Sequence, residues 1–483
     1  MSRFVPLLAA LLAAACGGGS SGASGPLVHA AIVSGDSIVG RDVAIFPDGS
    51  TLVTGEFTDI VTLGEGTPAE TTVTASSSWA MFVARYAANG AFLWVRVIET
   101  RSGNGVRAVA LADGGLIVTG TMLGSAITFG TGEPTEATFD THDAYDSFVA
   151  RYAADGDLLW VKRVVRGFAR DLALLLDSSV VVVGDFSDDA VFAPSEPNET
   201  TLPEPPGRDL FVARYDLTGA LLWVRTAGSD VAAEQQAAAV AAVADGCIVT
   251  GYVSGNCTFG SGEPNEVTLT TTPGGASGFF VNPFVARWAA DGSFAWARKV
   301  GAQEHVSASA IDAYPDGSSV ITGRLVGVPT VFGPGEPNET TFTHAGLFVA
   351  RYGPMGDLLY AKHVRSPQEF NQEAGVAALP DGSALVTGTF YGEAHAGVGE
   401  PNEILLVADH GAFLARFGRD GLLAWAGREA NASSPSGRAV ETTDDDGFIW
   451  IGDFDQEEGL ELEGTAPFPP RRARGLWIAR YRE

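Results

Sequence analysis

One five-residue phrase constrains this chain more than any other feature. Phe82-Val-Ala-Arg85-Tyr86 returns as Phe148–Tyr152, Phe211–Tyr215, Phe284–Trp288, Phe348–Tyr352, Phe413–Phe417 and Trp477–Tyr481. The seven copies lie 63 to 73 residues apart. Recurrence at such a period means one supersecondary unit built repeatedly, each copy burying its apolar faces against its neighbours.

Around the phrase each unit parses into four strands. Strand a is a run of small residues such as Val106–Leu111, closed by a turn of the Pro47-Asp48-Gly49 type, repeated at Pro315-Asp316-Gly317 and Pro380-Asp381-Gly382. Strand b follows, as in Leu116-Ile-Val-Thr-Gly120 and Cys247-Ile-Val-Thr-Gly251. Strand c is the phrase itself. A second Asp-Gly or Asn-Gly turn leads to strand d, marked by Trp94, Trp160, Trp223, Trp296, Tyr360 and Trp425. Such turns supply the positive φ that short hairpins need. The strands are almost continuously apolar, so both faces must be covered. The pattern predicts an all-β fold, a seven-bladed β-propeller with four-stranded antiparallel blades and an extra hairpin between strands b and c.

The chain ends predict closure. The seventh unit stops at Glu483 after strand c, with no strand d. Leu27–Val33 precedes the first strand a with no unit of its own, and His29 stands 19 residues before Asp48, as Trp94 does before Asp113. Residues 26–33 are therefore expected to complete the last blade, which removes free sheet edges.

These residues resemble the bacterial propeller-repeat family called SBBP-type. Its units read Asp-Gly-x-Val-x-Val-Thr-Gly, then Phe-Val-Ala-(Lys/Arg)-hydrophobic, then Gly-x-Leu-x-Trp. The resemblance covers residues 26 to 483. It implies an exported, often cell-envelope protein with a seven-bladed propeller and no activity assigned. The longer b–c excursion is where this chain departs from the pattern.

The amino terminus reads as a targeting segment. Arg3 precedes the apolar run Phe4–Ala15, too short to anchor across a bilayer. Leu12-Ala-Ala-Ala-Cys16 and a Gly/Ser-rich stretch follow. This resembles a bacterial lipoprotein signal, with Ala13 where that family usually has Leu; an ordinary cleaved secretory signal is the alternative. The expected organisation is a signal peptide over 1–15, acylated Cys16 opening a tether over 16–25, and one propeller over 26–483. The membrane is reached through that lipid anchor alone. The expected address is the bacterial cell envelope, at the outer membrane.

Charge excludes partners. The formal net charge of −28 repels nucleic acid and anionic membranes. Cys247 and Cys257 sit at opposite ends of a strand and its return. At about 3.3 Å per residue that exceeds the roughly 7 Å between bridged Cα atoms, so two buried free thiols are expected.

Repeated polar residues invite a functional reading. Glu-Pro-x-Glu recurs at Glu133, Glu196, Glu263, Glu336 and Glu400, with a looser form at Glu65–Glu70. Pro and Asn suit the centre of a β-turn. The carboxylates also suit Ca²⁺, although one loop falls short of six oxygens. The strand-c arginines read as between-blade pairs rather than anion sites, and the tryptophans as packing aromatics. The run Asp444–Gly447 reads as the seventh a–b turn.

Signatures of chemistry are weak. The seven histidines are scattered, and neither a Gly-x-Ser-x-Gly elbow nor a phosphate-cradling loop occurs. Strand a, as in Ala238–Val243, predicts a channel wall of small apolar residues, where a catalytic channel would show convergent polar groups. No catalytic or cofactor-binding residue is therefore assigned, and Ca²⁺ stays open. The expected function is a monomeric, non-catalytic lipoprotein scaffold that contacts a protein or glycan. The alternative is a propeller akin to quinone-dependent dehydrogenases or to outer-membrane assembly factors.

Overall fold

A computed structural model describes residues 27–482 apart from 102–103, 142–143, 272, 275–277, 280, 303–305, 327–328, 367–373, 429–432, 446 and 456–473. The signal and tether expected over 1–25, Cys16 included, lie outside the described residues. The described elements are all β-strands.

Local chemistry sets the hairpins. In the first a–b turn the Gly49 N–H donates to Phe46 O at 2.8 Å, and Asp48 Oδ1 accepts the Ser50 N–H at 2.8 Å. Gly49 takes φ 77°, which glycine reaches without a Cβ clash. In the third unit Ser178 occupies this corner at φ 66°, a conformation that costs a residue with a side chain about 1 kcal/mol or more.

Each copy of the phrase becomes the third strand of a four-stranded antiparallel sheet. Asp146–Tyr152 pairs with Leu116–Met122 on one side and with the start of Leu158–Leu174 on the other, while Asn104–Ala110 flanks Leu116–Met122. Strands d and a of successive units, read separately from the sequence, can be one element. The first half of Leu158–Leu174 completes the second unit, and its second half pairs with Val180–Phe192 of the third.

The first described strand behaves the same way. Leu27–Ile45 pairs with Thr51–Leu63 through its second half and with Arg474–Arg482 through its first. His29 stands opposite Arg480, as Trp94 stands opposite Arg85. The segment read as a missing fourth strand therefore takes a fourth strand's register beside the last phrase.

Packing between units explains the continuous apolarity. Strands of the first and second units share a core in which Met81 and Val83 meet Val118, Phe148 and Ala150. A further cluster joins the last unit to the first, with Ile449, Ile451 and Ile478 against Val53 and Phe82. Burying each large side chain contributes roughly 2–3 kcal/mol. The recurrent Thr-Gly of strand b has a steric cause: a Cβ on Gly55 would lie 2.5 Å from the Phe82 ring and 2.5 Å from Val39 O.

Candidate functional site

The repeated polar residues are occupied by joints between units. Arg85 donates to Asp48 Oδ2 at 3.2 Å and to Ser50 Oγ at 2.9 Å within its own unit. It also reaches Gly114 O at 2.9 Å and Ala154 O at 3.1 Å in the next. Arg151, Arg214, Arg287 and Arg351 repeat this reach toward Leu217, Ala290, Pro354 and Gly382. Arg480, in the last unit, donates to Gly49 O at 3.2 Å and Ala88 O at 3.4 Å in the first. Its acid partner, Asp445 at 3.1 Å, comes from the Asp444–Gly447 run, which is an a–b turn as read.

The strand-d tryptophans make the second joint. Trp94, Trp160, Trp223 and Trp296 donate Nε1–H to Ala154, Leu217, Ala290 and Pro354 carbonyls at 3.0–3.1 Å. Their rings lie against the c–d glycines of the following unit. A Cβ on Gly156 would sit 3.2 Å from Trp94, and one on Gly90 would sit 2.6 Å from the His29 ring.

The Glu-Pro-Asn-Glu loops make the third joint, on strand d of their own unit. Glu336 Oε2 accepts the Leu358 N–H at 2.6 Å, and Asn338 Nδ2 donates to Leu358 O at 3.0 Å. The second glutamate turns inward: Glu339 Oε2 accepts the Gly335 N–H at 2.6 Å. Glu263 and Glu400 bind the amides of Phe294 and Leu423 in the same way, and Glu133 that of Leu158. The loops are turns, as their Pro and Asn predict, and they dock on backbone, a target that has no sequence signal. Among the described residues no three His, Cys, Asp or Glu side chains gather to hold a metal ion.

The place where the repeat breaks is the centre. A cavity of about 360 Å³ is lined by strands a of all seven units, and a neighbouring one of about 310 Å³ adjoins it at the end remote from the a–b turns. The expected wall of small apolar residues is found in the fourth unit, at Ala238, Ala239 and Ala241. It is found in the sixth unit as well, at Ala374, Gly375 and Val376, but in the other units it is corrected: Asp42, Arg107, Asp171, Asp312 and Glu441 line the cavity, with Arg41 and Arg438. The same β-bulge runs through strand a of these units and of the fourth, stepping from Gly40↔Gly55 to Asp42↔Thr54, from Ala169↔Gly184 to Asp171↔Val183 and from Ala237↔Gly251 to Ala239↔Thr250, so the difference lies in the residue that follows it. A bulge re-aims the following side chains, so simple alternation does not show which residue faces inward.

Three of these carboxylates tie neighbouring strands a together. Asp42 Oδ2 accepts the Ala108 N–H at 3.0 Å, Asp171 Oδ2 that of Val240 at 2.8 Å, and Asp312 Oδ2 that of Ala378 at 2.7 Å. Burial pushes Asp171 up to about 7, with Arg107 opposing the rise and Asp42 adding to it. Burial likewise lifts Asp312 to about 6 and raises Asp42 against the pull of Arg107. Glu441 is raised by burial and by the charges of Asp312 and Asp42.

The arginines form a collar between the two cavities. Arg41, Arg107 and Arg438 border both, and Arg170 borders the outer one. Three are matched by a carboxylate just after the strand-b glycine. Arg41 bonds Glu56 at 3.1 Å, Arg170 bonds Asp185 at 2.7 Å, and Arg438 bonds Asp453 at 3.1 Å. Asp185 is fully buried and also holds Arg208 at 3.0 Å and Gln236 at 3.2 Å. In the second unit that position is Thr121. Arg107 makes one hydrogen bond among the described residues, to Val106 O at 3.4 Å.

Other candidates stay apart. Cys247 and Cys257 are buried and free, as expected, and burial pushes the Cys247 thiol up to about 12. His363 packs on Phe342 and His410 on Tyr391, each at 4.5 Å, while His395 bonds Glu403 at 3.0 Å. His142 and His305 lie outside the described residues. No family model matches the chain, and no curated protein matches it. A solved structure described as "Structure of Dos1 propeller" is similar at 8% identity and a TM-score of 0.42, over 93% of each chain.

Proposed function

We propose that this protein is a non-catalytic scaffold, a seven-bladed β-propeller of the SBBP type that is exported and anchored to the cell envelope through acylated Cys16. It contacts a protein or glycan at the end of the central cavity where the arginine collar lies. Blade count and closure are supported by seven phrases in seven third strands and by the pairing of Leu27–Gly35 with Arg474–Tyr481. The bonds from Arg480 into the first unit and the shared core of the last and first units support them too.

One observation carries the functional reading. The repeated Arg, Trp and Glu-Pro-Asn-Glu residues are consumed by joints between and within units, whereas the central side chains differ from unit to unit. Architecture needs the repeated residues; it does not need Asp42, Arg107 and Asp171 to differ from Ala239 and Ala310 at the matching registers. What the repeat leaves unexplained is where recognition belongs.

The test is capture of ligand from an envelope extract and on an arrayed glycan panel, with the mature protein as bait. Retention of a defined partner or glycan, released by changes around the collar, is the expected result. Substrate turnover without retention would overturn the reading. The mass of the membrane-extracted protein reports the anchor: loss of residues 1–15 with added acyl chains is expected, and Cys16→Ser should release the protein to the aqueous phase.

A further inference from the structure

We propose that the end of the propeller carrying the a–b and c–d turns is a lipid-facing surface. A ring of bulged apolar side chains seats it on the zwitterionic leaflet that holds the acyl chains of Cys16. The inference rests on Cys16 being the anchor, and it turns the collar end away from the membrane. It begins from a bulge that the units repeat. Between strands c and d the register steps from Arg85↔Trp94 to Tyr86↔Phe92, which leaves Leu93 without a partner residue. Leu159, Leu222 and Leu359 are extra in the same way, and so is Val28 in the strand beside Arg474–Arg482. These side chains are 39–50% exposed, and none belongs to a hydrophobic core. A bulged residue stands outside the ladder, so pairing gives no reason for an apolar side chain there. Ala295 and Ala424 fill the place in the fourth and sixth units, and Leu422 stands exposed close to the latter.

All of them lie at one end. Arg85 joins Asp48 in the a–b turn of its own unit to Gly114 O and Ala154 O, in the a–b and c–d turns of the next. Both kinds of turn therefore share that end, and each bulge sits opposite the strand-c step that leads into it. Two turn tips add Leu176 at 80% and Met355 at 72%, the most exposed large apolar side chains among the described residues. The chain from Cys16 arrives at the same place. Leu27 pairs with Tyr481, and the eleven residues back to Cys16 reach at most about 40 Å, so the acyl chains enter the leaflet beside this ring. Charge fits a neutral head-group layer, because the a–b turn aspartates are paired with the strand-c arginines, from Asp48 with Arg85 to Asp445 with Arg480. The exposed c–d turn carboxylates Asp155, Asp291 and Asp420 favour choline or ethanolamine head groups over anionic ones. Apolar side chains that leave water at the interface add a second hold to a lipid anchor.

The test uses the full mature protein, acylated, in phosphatidylcholine vesicles. Leu93→Cys and Leu222→Cys are each labelled with an environment-sensitive fluorophore, Cys247 and Cys257 being buried. Val231→Cys is the control, exposed on the d–a crossover at the other end. Labels at 93 and 222 should shift to shorter wavelength and be quenched by nitroxide-labelled acyl chains, and the label at 231 should do neither. Leu159→Glu combined with Leu359→Glu, both outside every core, should lower the quenching at 93 at least twofold. Adding phosphatidylglycerol should also lower it, and salt should reverse that loss. Labels at 93 and 222 that stay aqueous on a vesicle-bound, acylated protein overturn the lipid face and leave the anchor standing. A protein that carries no acyl chains and stays off vesicles overturns both. A wavelength shift in lipid-free solution that grows with protein concentration gives the ring to a second copy and overturns the lipid face too.

Discussion

Removing one between-unit arginine gives a sharp test of what holds the units together. Arg351 is 3% exposed, stacks its guanidinium 3.8 Å above the Tyr314 ring, and donates to Ser318 Oγ at 2.8 Å, Asp316 at 3.2 Å and Gly382 O at 2.8 Å. The ion pair counts least, because Asp316 is 51% exposed, and is worth about 0.5 kcal/mol. Stranding Ser318 and the carbonyl of Gly382 costs about 1–2 kcal/mol. The ring contact contributes about 1 kcal/mol and the packed stem about 1–2 kcal/mol. Arg351→Ala should therefore destabilise by about 3–5 kcal/mol. At about 2.1 cal/mol/K per residue over roughly 450 residues melting as one unit, that lowers the Tm by about 3–5 °C. Calorimetry and circular dichroism melts provide the assay. Arg166→Ala is the control, since its pair with Asp188 is about half exposed on both sides, and less than about 0.5 kcal/mol should be lost there. Arg351→Lys keeps the charge but cannot reach three partners, so it should recover little. A Tm within one degree of wild type for Arg351→Ala, or full recovery by lysine, would refute the joint.

Further outcomes follow from the same geometry. Asp171, held at about 7 in the folded protein against an ordinary 3.8, keeps its proton where the unfolded chain has lost it. Asp312, at about 6, has the same sign, so both groups make stability fall as pH rises from about 4 through 7. Asp171→Asn, whose amide oxygen still accepts from Val240, should raise stability by about 1–3 kcal/mol at pH 8 and by little at pH 4; equal gains at both pH values would contradict this. If the Glu-Pro-Asn-Glu loops act through backbone bonds, millimolar Ca²⁺ or EDTA should move the Tm by less than about 1 °C. Glu336→Gln, which weakens the hold on the Leu358 amide, should lower the Tm by about 1 °C; a large Ca²⁺-dependent shift would restore the cation reading. Cys247 and Cys257 should resist a thiol reagent in the folded protein and both react after denaturation.

The sequence was legible where chemistry is local and repeated. The phrase announces strand c, the Asp-Gly turns announce the hairpins, and the gap after Tyr481 points to Leu27–Val33, whose register beside Arg474–Arg482 follows the count from His29 to Asp48. The role of the arginines was readable because a residue present in every unit answers a need of every unit. The central cavity was not readable. Strand a looks uniformly small in Ala238–Val243, and the bulge that brings Asp42 and Asp171 inward leaves no mark on alternation. Nor could the loops' target be read, since Glu336 meets an amide 22 residues away that any side chain at Leu358 would offer equally.

The central claim, that the chain closes on itself through its amino-terminal strand, is tested most directly by hydrogen exchange of peptides spanning residues 27–35. Those amides should be protected on the same timescale as the matching strand Phe92–Thr100, and Arg474–Arg482 should lose protection when residues 26–33 are deleted. Exchange of 27–35 within seconds, with Arg474–Arg482 equally protected in the full and shortened chains, would contradict closure.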